Sequence, residues 1–274
     1  MNRASQLFCG TMLVAFVVCL MTETGSYGQE IDLDRRLATI RCKNLGDPQT
    51  YASLEKEALG LLSKYQAPGE KGQIYATIVA IYSDKGATLE AIEKGTLATK
   101  MLEYAQRALQ ESLGFIDQCQ MYSCWTGALE MKYFRPIYLE NSSGNEFQKA
   151  RREIIQPCLK GLKIVLDHNA QKEIQPLPAV NMYDVGGNED DPSYLAAVET
   201  HAKEVAARKE AEKQNCLVEF RRGFIATCVD LYSRDPDAKV EFVQIAGPIL
   251  NNASILQEIL TAIEEKRLST FSHN

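Results

Sequence analysis

Apolar residues recur along this chain at spacings of three and four, and alternation with a period of two is scarce, so the sequence reads as almost entirely α-helical. Residues 49–65 put Tyr51, Leu54, Ala58, Leu61 and Tyr65 on one face, and Pro68-Gly69 breaks that run. Residues 71–84 bring Ile74, Ile78, Ile81 and Tyr82 together, with Gly86 as a terminating glycine. Residues 89–110 point Ile92, Leu97, Met101, Leu102, Ala105 and Leu109 inward. Residues 115–133 form a helix around Cys119, Tyr122 and Leu129. Residues 146–167 are helical, and Pro157 is expected to split or kink them. Ser193 stands as an N-cap for a charged, solvated helix over 194–214, with Glu199–Lys203 and Glu204–Arg208 four apart. Helices over 216–233, 237–250 and 253–267 then carry Phe220, Phe224 and Leu231, next Val240, Val243 and Ile249, and last Leu256, Ile259 and Ile263.

Two stretches depart from this pattern. The first is the N-terminus, which has the three parts of a cleavable signal peptide. Arg3 supplies a basic start. Leu7 to Met21 follow with Thr11 as the one clearly polar side chain, and Ser26 and Gly28 are small residues two apart. Cleavage is expected after Gly28. The apolar run is shorter than the roughly 20 residues a membrane span needs, and no second long apolar stretch follows it. The second departure is 171–192, an irregular stretch holding Pro176, Pro178, Gly186, Gly187 and Asp190-Asp191-Pro192. The expected organisation is a signal peptide over 1–28, a helical region over 29–170, this loop or linker over 171–192, and a C-terminal helical region over 193–274 that packs on the first.

Charge and cysteine content sharpen the picture. The signal segment carries one Arg and one Glu, so the exported chain keeps the net charge of -6. That mild acidity, with no cluster of Lys and Arg, argues against nucleic acid as a partner. Two of the eight cysteines leave with the leader, and Cys42, Cys119, Cys124, Cys158, Cys216 and Cys228 remain. Six cysteines in an oxidising compartment admit up to three disulfides among 15 pairings. Cys119 and Cys124 cannot pair with each other on one helix, because five positions advance about 140° and about 7.5 Å. The alternative for Cys158 and Cys228, on apolar faces, is a pair of buried thiols.

An internal echo runs through the chain. Residues 76–83, Ala-Thr-Ile-Val-Ala-Ile-Tyr-Ser, and 226–233, Ala-Thr-Cys-Val-Asp-Leu-Tyr-Ser, are identical at five of eight positions. Ala76, Ile81, Tyr82 and Gly86, followed by Ala91, Tyr104, Ala105 and Ala108, make 71–110 resemble a degenerate tetratricopeptide-type helical hairpin. Residues 122–129, Tyr-Ser-Cys-Trp-Thr-Gly-Ala-Leu, are similar to the Trp and small-residue positions that open the next such unit. The chain thereby also resembles helical-repeat proteins that bacteria export. The resemblance implies antiparallel hairpins stacked into a superhelix with a concave groove. No clean 34-residue period continues past residue 133, so an irregular helical bundle is the alternative all-α architecture.

Catalytic motifs are missing from the sequence: there is no HExxH, GxSxG, Walker A or GxGxxG. No CxxC is present and the three His are far from the Cys pairs, so no metal or cofactor is expected. His168 sits at a helix end, His201 on the charged helix and His273 in the tail. The turn 184–191 concentrates oxygen ligands without the spacing of an EF-hand. Asn141 and Asn252 each begin a glycosylation triplet. Tyr122, Trp125 and Tyr133, with Phe134 and Tyr138 beside them, are the candidate recognition surface, since aromatic anchors dominate interfaces. The function expected from these features is a secreted or periplasmic, non-catalytic helical scaffold that binds a protein or peptide. An enzyme or small-ligand carrier with a site at the 171–192 loop, using His168 or Tyr183, is the alternative.

Overall fold

The computed structural model describes residues 27–43, 50–86, 91–137, 144–168, 192–235 and 238–271. Most of the expected leader, the 171–191 loop with its acidic turn and Tyr183, Asn141, Tyr138 and His273 lie outside these residues, as do the side chains of Ile92, Phe134, Glu199 and His201. Among the described residues all regular structure is α-helical. The helices are α1 (Tyr27–Cys42), α2 (Thr50–Leu61), α3 (Pro68–Gly86), α4 (Ala91–Leu109), α5 (Phe115–Ile137), α6 (Asn145–Asp167), α7 (Pro192–Tyr232), α8 (Ala238–Leu250) and α9 (Ala253–Phe271). Each helix from α2 to α9 packs against the one before it.

Three elements differ from the sequence expectation. Helix α1 was not foreseen, although Leu33, Leu37 and Ile40 are spaced by four and three and are all buried. Its low overall hydrophobicity hid that narrow stripe. Helix α6 runs through Pro157 as one element, with the proline itself buried. Pro157 removes one N–H from the ladder, but α5, α7 and α8 pack on the helix and it is not split there. The charged and apolar stretches 194–214 and 216–233 are one helix, α7, of 41 residues. No breaker separates them; the chain passes from solvent to core while its backbone continues. Pro192 takes the first helical position, as its fixed φ favours, and Ser193 falls inside the first turn. Within the exposed half, Arg208 turns to Glu212 at 3.1 Å rather than back to Glu204.

The interior has two hydrophobic parts that meet on α5. The first gathers α1 to α4 through residues such as Leu54, Ile78, Met101 and Tyr104, and receives Met121, Cys124 and Ala128 from α5. The second gathers α6 to α9 through Ile154, Leu162, Phe220, Phe242 and Ile259, and receives Ile116, Cys119 and Leu129 from α5. Both copies of the internal echo are core segments: Val79, Ile81 and Tyr82 are buried in the first part, and Val229, Leu231 and Tyr232 in the second.

Each part holds one buried polar knot. Glu55 of α2 accepts hydrogen bonds from Tyr82 of α3 and Tyr104 of α4, and from Lys100 Nζ at 2.9 Å. Arg151 of α6 is 1% exposed, lies over the rings of Phe147 and Tyr232, and donates to Asp235 at 3.0 Å and Glu241 at 2.8 Å. Burial alone would push Glu241 up, but the bonds from Arg151 and Arg152 outweigh it and hold its carboxyl below the usual range. Two carboxylates compensate this desolvated charge through its two terminal nitrogens, while its buried Nε has no hydrogen-bond partner among the described residues, and the pair anchors α6 to the α7–α8 junction.

Helices α6 and α7 approach closely at Gly161. A Cβ at Gly161 would stand 2.3 Å from the ring of Phe224, so only glycine lets these two helices meet at this depth. Gly161→Ala is expected to destabilise the protein by about 1–3 kcal/mol through this overpacking, a loss measurable as a lower denaturation midpoint. A midpoint equal to that of the parent protein would show that the ring has room to move.

Candidate functional site

The aromatic residues expected to form a recognition surface are gathered on α5. Tyr122 and Trp125 stack with ring centroids 6.2 Å apart and planes 8° from parallel. Both are half-buried, and Trp125 packs against the two hydrophobic parts at once. Tyr133 donates its hydroxyl to Glu153 of α6, and Lys132 lies 5.0 Å from its ring centre. The bond to Glu153 and burial push the Tyr133 hydroxyl up to about 12. These side chains stand at the seams between helices and touch core on one side.

His168 caps the end of α6. Its Nδ1 lies 2.8 Å from the Ile164 carbonyl and its ring stacks on Phe115 at 4.1 Å. The ring thus closes a helix end and packs against the start of α5. The six cysteines of the described residues are thiols, with Cys42 exposed, Cys216 half-buried and the other four buried. Cys119 and Cys124 share α5 but enter different hydrophobic parts.

An open surface feature lies at the other end of the chain. Helix α8 was expected to bury Val240, Val243 and Ile249. Its buried residues are instead Ala238, Phe242, Ala246 and Leu250, while Val240 is 65% and Val243 40% exposed. The sequence Ala-Lys-Val-Glu-Phe-Val-Gln-Ile-Ala-Gly-Pro-Ile-Leu is apolar on more than one face, so periodicity could not choose between them. The face left outside borders a groove of about 590 Å³ lined by Lys239, Val240, Val243, Gln244, Gln257, Leu260, Thr261 and Glu264.

The groove is shaped by the turn between α8 and α9. Asn251 adopts φ 46°, the left-handed conformation that ends a helix, and its N–H bonds the Gly247 carbonyl at 3.0 Å. Asn252 Oδ1 then accepts from the Ile255 N–H at 3.1 Å and caps α9. Two successive asparagines therefore turn the chain within two residues. On α9, Ile255, Ile259 and Ile263 face the core, and Leu260 lies on the groove side. Glu264 is held below the ordinary carboxylate range by hydrogen bonds from Lys239 and Arg267. Its charge is spent on tying α9 to α8. The lining joins the apolar Val240, Val243 and Leu260 to the polar Gln244, Gln257 and Thr261.

One group with shifted acidity lies away from the groove. Glu130 of α5 is half-buried, and desolvation together with the charge of Asp230 pushes it up to about 7, against a smaller opposing bond from Thr227 of α7. Shifts of this kind gather at reaction sites. Here the neighbours are the core thiol Cys158 and the helix α7, and the carboxyl is part of a packed seam. Among the described residues, no group of three or more His, Cys, Asp or Glu side chains is placed to hold a metal ion, and no helix is long and apolar enough to cross a membrane. The alternative site at 171–192 lies outside the described residues, apart from Pro192 at the start of α7.

No protein-family model, curated protein or solved structure matches this chain. The fold and the groove define it as an all-helical protein with an apolar surface cleft on its last helical hairpin.

The acidity of Glu130 has a direct consequence for stability. A carboxyl with a folded pKa near 7 and an ordinary value of 4.5 takes up a proton on folding between those pH values. Its contribution therefore favours the fold at low pH and is lost as pH rises through that window. Glu130→Gln is expected to leave stability unchanged near pH 4 and to raise it by about 1–2 kcal/mol at pH 8. Denaturant titrations at the two pH values check this; equal effects at both would contradict it.

Proposed function

We propose that this is an exported, non-catalytic helical protein that binds an apolar segment of a partner protein in the groove between α8 and α9. The observation that carries the reading is the exposure of Val240 and Val243, at 65% and 40%, on a helix whose opposite face is already buried. Apolar side chains left at the mouth of a cleft favour a partner that covers them. The groove is open and its lining side chains come from two adjacent helices, a lining of the kind that helix-in-groove recognition uses. Polar Gln244, Gln257 and Thr261 at its borders supply hydrogen bonds that set the orientation of a bound segment. The resemblance of 71–133 to exported helical-hairpin proteins supports the same class of activity.

A displayed library of random peptides about 15 residues long, selected on the purified protein, is expected to enrich amphipathic sequences with apolar anchors at helical spacing. Val243→Glu is expected to weaken their binding at least about 10-fold while Lys149→Glu on exposed α6 surface leaves it unchanged. Enriched peptides that bind the parent protein and Val243→Glu equally would place recognition elsewhere, and no enrichment at all would remove the reading.

Export is tested separately. When the full chain is expressed in a host with a secretory pathway, the mature product is expected to begin at Gln29, read by N-terminal sequencing. Recovery of the protein from the cytosol with Met1 in place would refute it.

A further inference from the structure

Cys158 of α6 and Cys228 of α7 meet in the second hydrophobic part with their sulfurs 3.7 Å apart. Both residues are 0% exposed. The meeting follows from the packing at Gly161. Because the Phe224 ring occupies the place of a Cβ there, α6 and α7 approach closely, and the residues three before Gly161 and four after Phe224 come side by side. Cys158 Sγ also lies 3.2 Å from the Phe224 carbonyl, to which its thiol donates, which leaves Cys228 to donate to Cys158.

Two cysteines on facing helices, 70 residues apart in the chain and in sulfur contact, have the arrangement of a staple. A disulfide holds its sulfurs about 2.05 Å apart, and the two sulfurs already stand at van der Waals contact. The stretch between the cysteines includes the irregular 171–192 segment, and closing a long loop removes the most freedom from the unfolded chain.

We propose that Cys158 and Cys228 close into a disulfide as the chain folds in an oxidising compartment, which cuts the fifteen three-disulfide connectivities of the six cysteines to three. The inference rests on the export reading for the source of its oxidant. The thiolate of one cysteine attacks a disulfide-bearing oxidant and releases one thiol from it. The thiolate of the other cysteine then attacks the mixed disulfide and displaces the second thiol. Two electrons and two protons pass from the protein to the oxidant, one sulfur–sulfur bond is exchanged for another, and no other atom is lost. The step must precede burial. Once the core is closed both sulfurs are out of reach of solvent, and desolvation pushes the Cys158 thiol up, making it harder to ionise, so the folded dithiol is inert. The bond then locks α6 to α7 on the same face as the Arg151 anchor, about two turns further along α6.

The test is a peptide map. The full chain, denatured and reduced, is refolded in reduced and oxidised glutathione, blocked with iodoacetamide and cut with trypsin without reduction. The expected product is peptide 153–160 joined to peptide 223–234, two hydrogens lighter than their sum and lost on reduction. Protein first folded with dithiothreitol and then given oxidised glutathione without denaturant is expected to show both peptides unlinked, because the thiols are already buried. The linked form is expected to melt about 10 °C above the reduced form, and Cys228→Ala to lose that difference. Recovery of both cysteines individually alkylated after oxidative refolding, or joined to other cysteines, overturns the proposal. So does a linked form that melts no higher than the reduced one. Glutathione stands in for the compartment, so this result is independent of whether the leader is cleaved and of whether the groove binds a peptide.

Discussion

The structure depends on α5 being buried from two sides. Ile116, Cys119 and Leu129 face the part built by α6 to α9, while Met121, Cys124 and Ala128 face the part built by α1 to α4. A helix used in this way has little polar surface left, and its partners cannot shift without exposing one set or the other. Trp125 and Tyr122 fill the edges between the two sets, which is why the aromatic richness of this segment reads as packing. The two hydrophobic parts are thereby a single continuous interior with α5 as its common wall.

Charge is placed where it fixes the register of these helices. Glu55 draws hydroxyls and an ammonium from α3 and α4, and Arg151 draws carboxylates from the end of α7 and from α8. Each knot crosses three elements, so each specifies how far one helix slides along another, a task apolar contacts perform poorly because they are not directional. Arg221–Glu258 and Lys266–Asp230 tie α9 to α7 on the surface, where solvent screens them and their contribution is small.

Two of the three exposed large apolar side chains among the described residues lie on α8. Helix α8 has one face against α6 and α7, and a second on which Val240 and Val243 stay exposed beside α9. The asparagine pair at 251–252 turns α9 back beside that face and leaves a cleft rather than a closed seam. A partner segment laid into the cleft would complete for α8 what α5 already has.

The sequence by itself determined that the chain is helical, where most helices lie, and which side of α2, α3, α4 and α9 is buried, because a period of 3.6 with one apolar stripe has only one solution for its inward face. It also carried the Asn-Asn turn and the one glycine that α6 needs, though neither announces its role without a neighbour. Tertiary structure decided the rest. It merged 194–214 with 216–233, carried α6 through Pro157, and chose which apolar face of α8 would stay outside. It also paired Cys158 with Cys228. Each of these depends on what lies across from a residue, and hydrophobic pattern along one helix records that a residue is apolar without recording against which other residue it will rest.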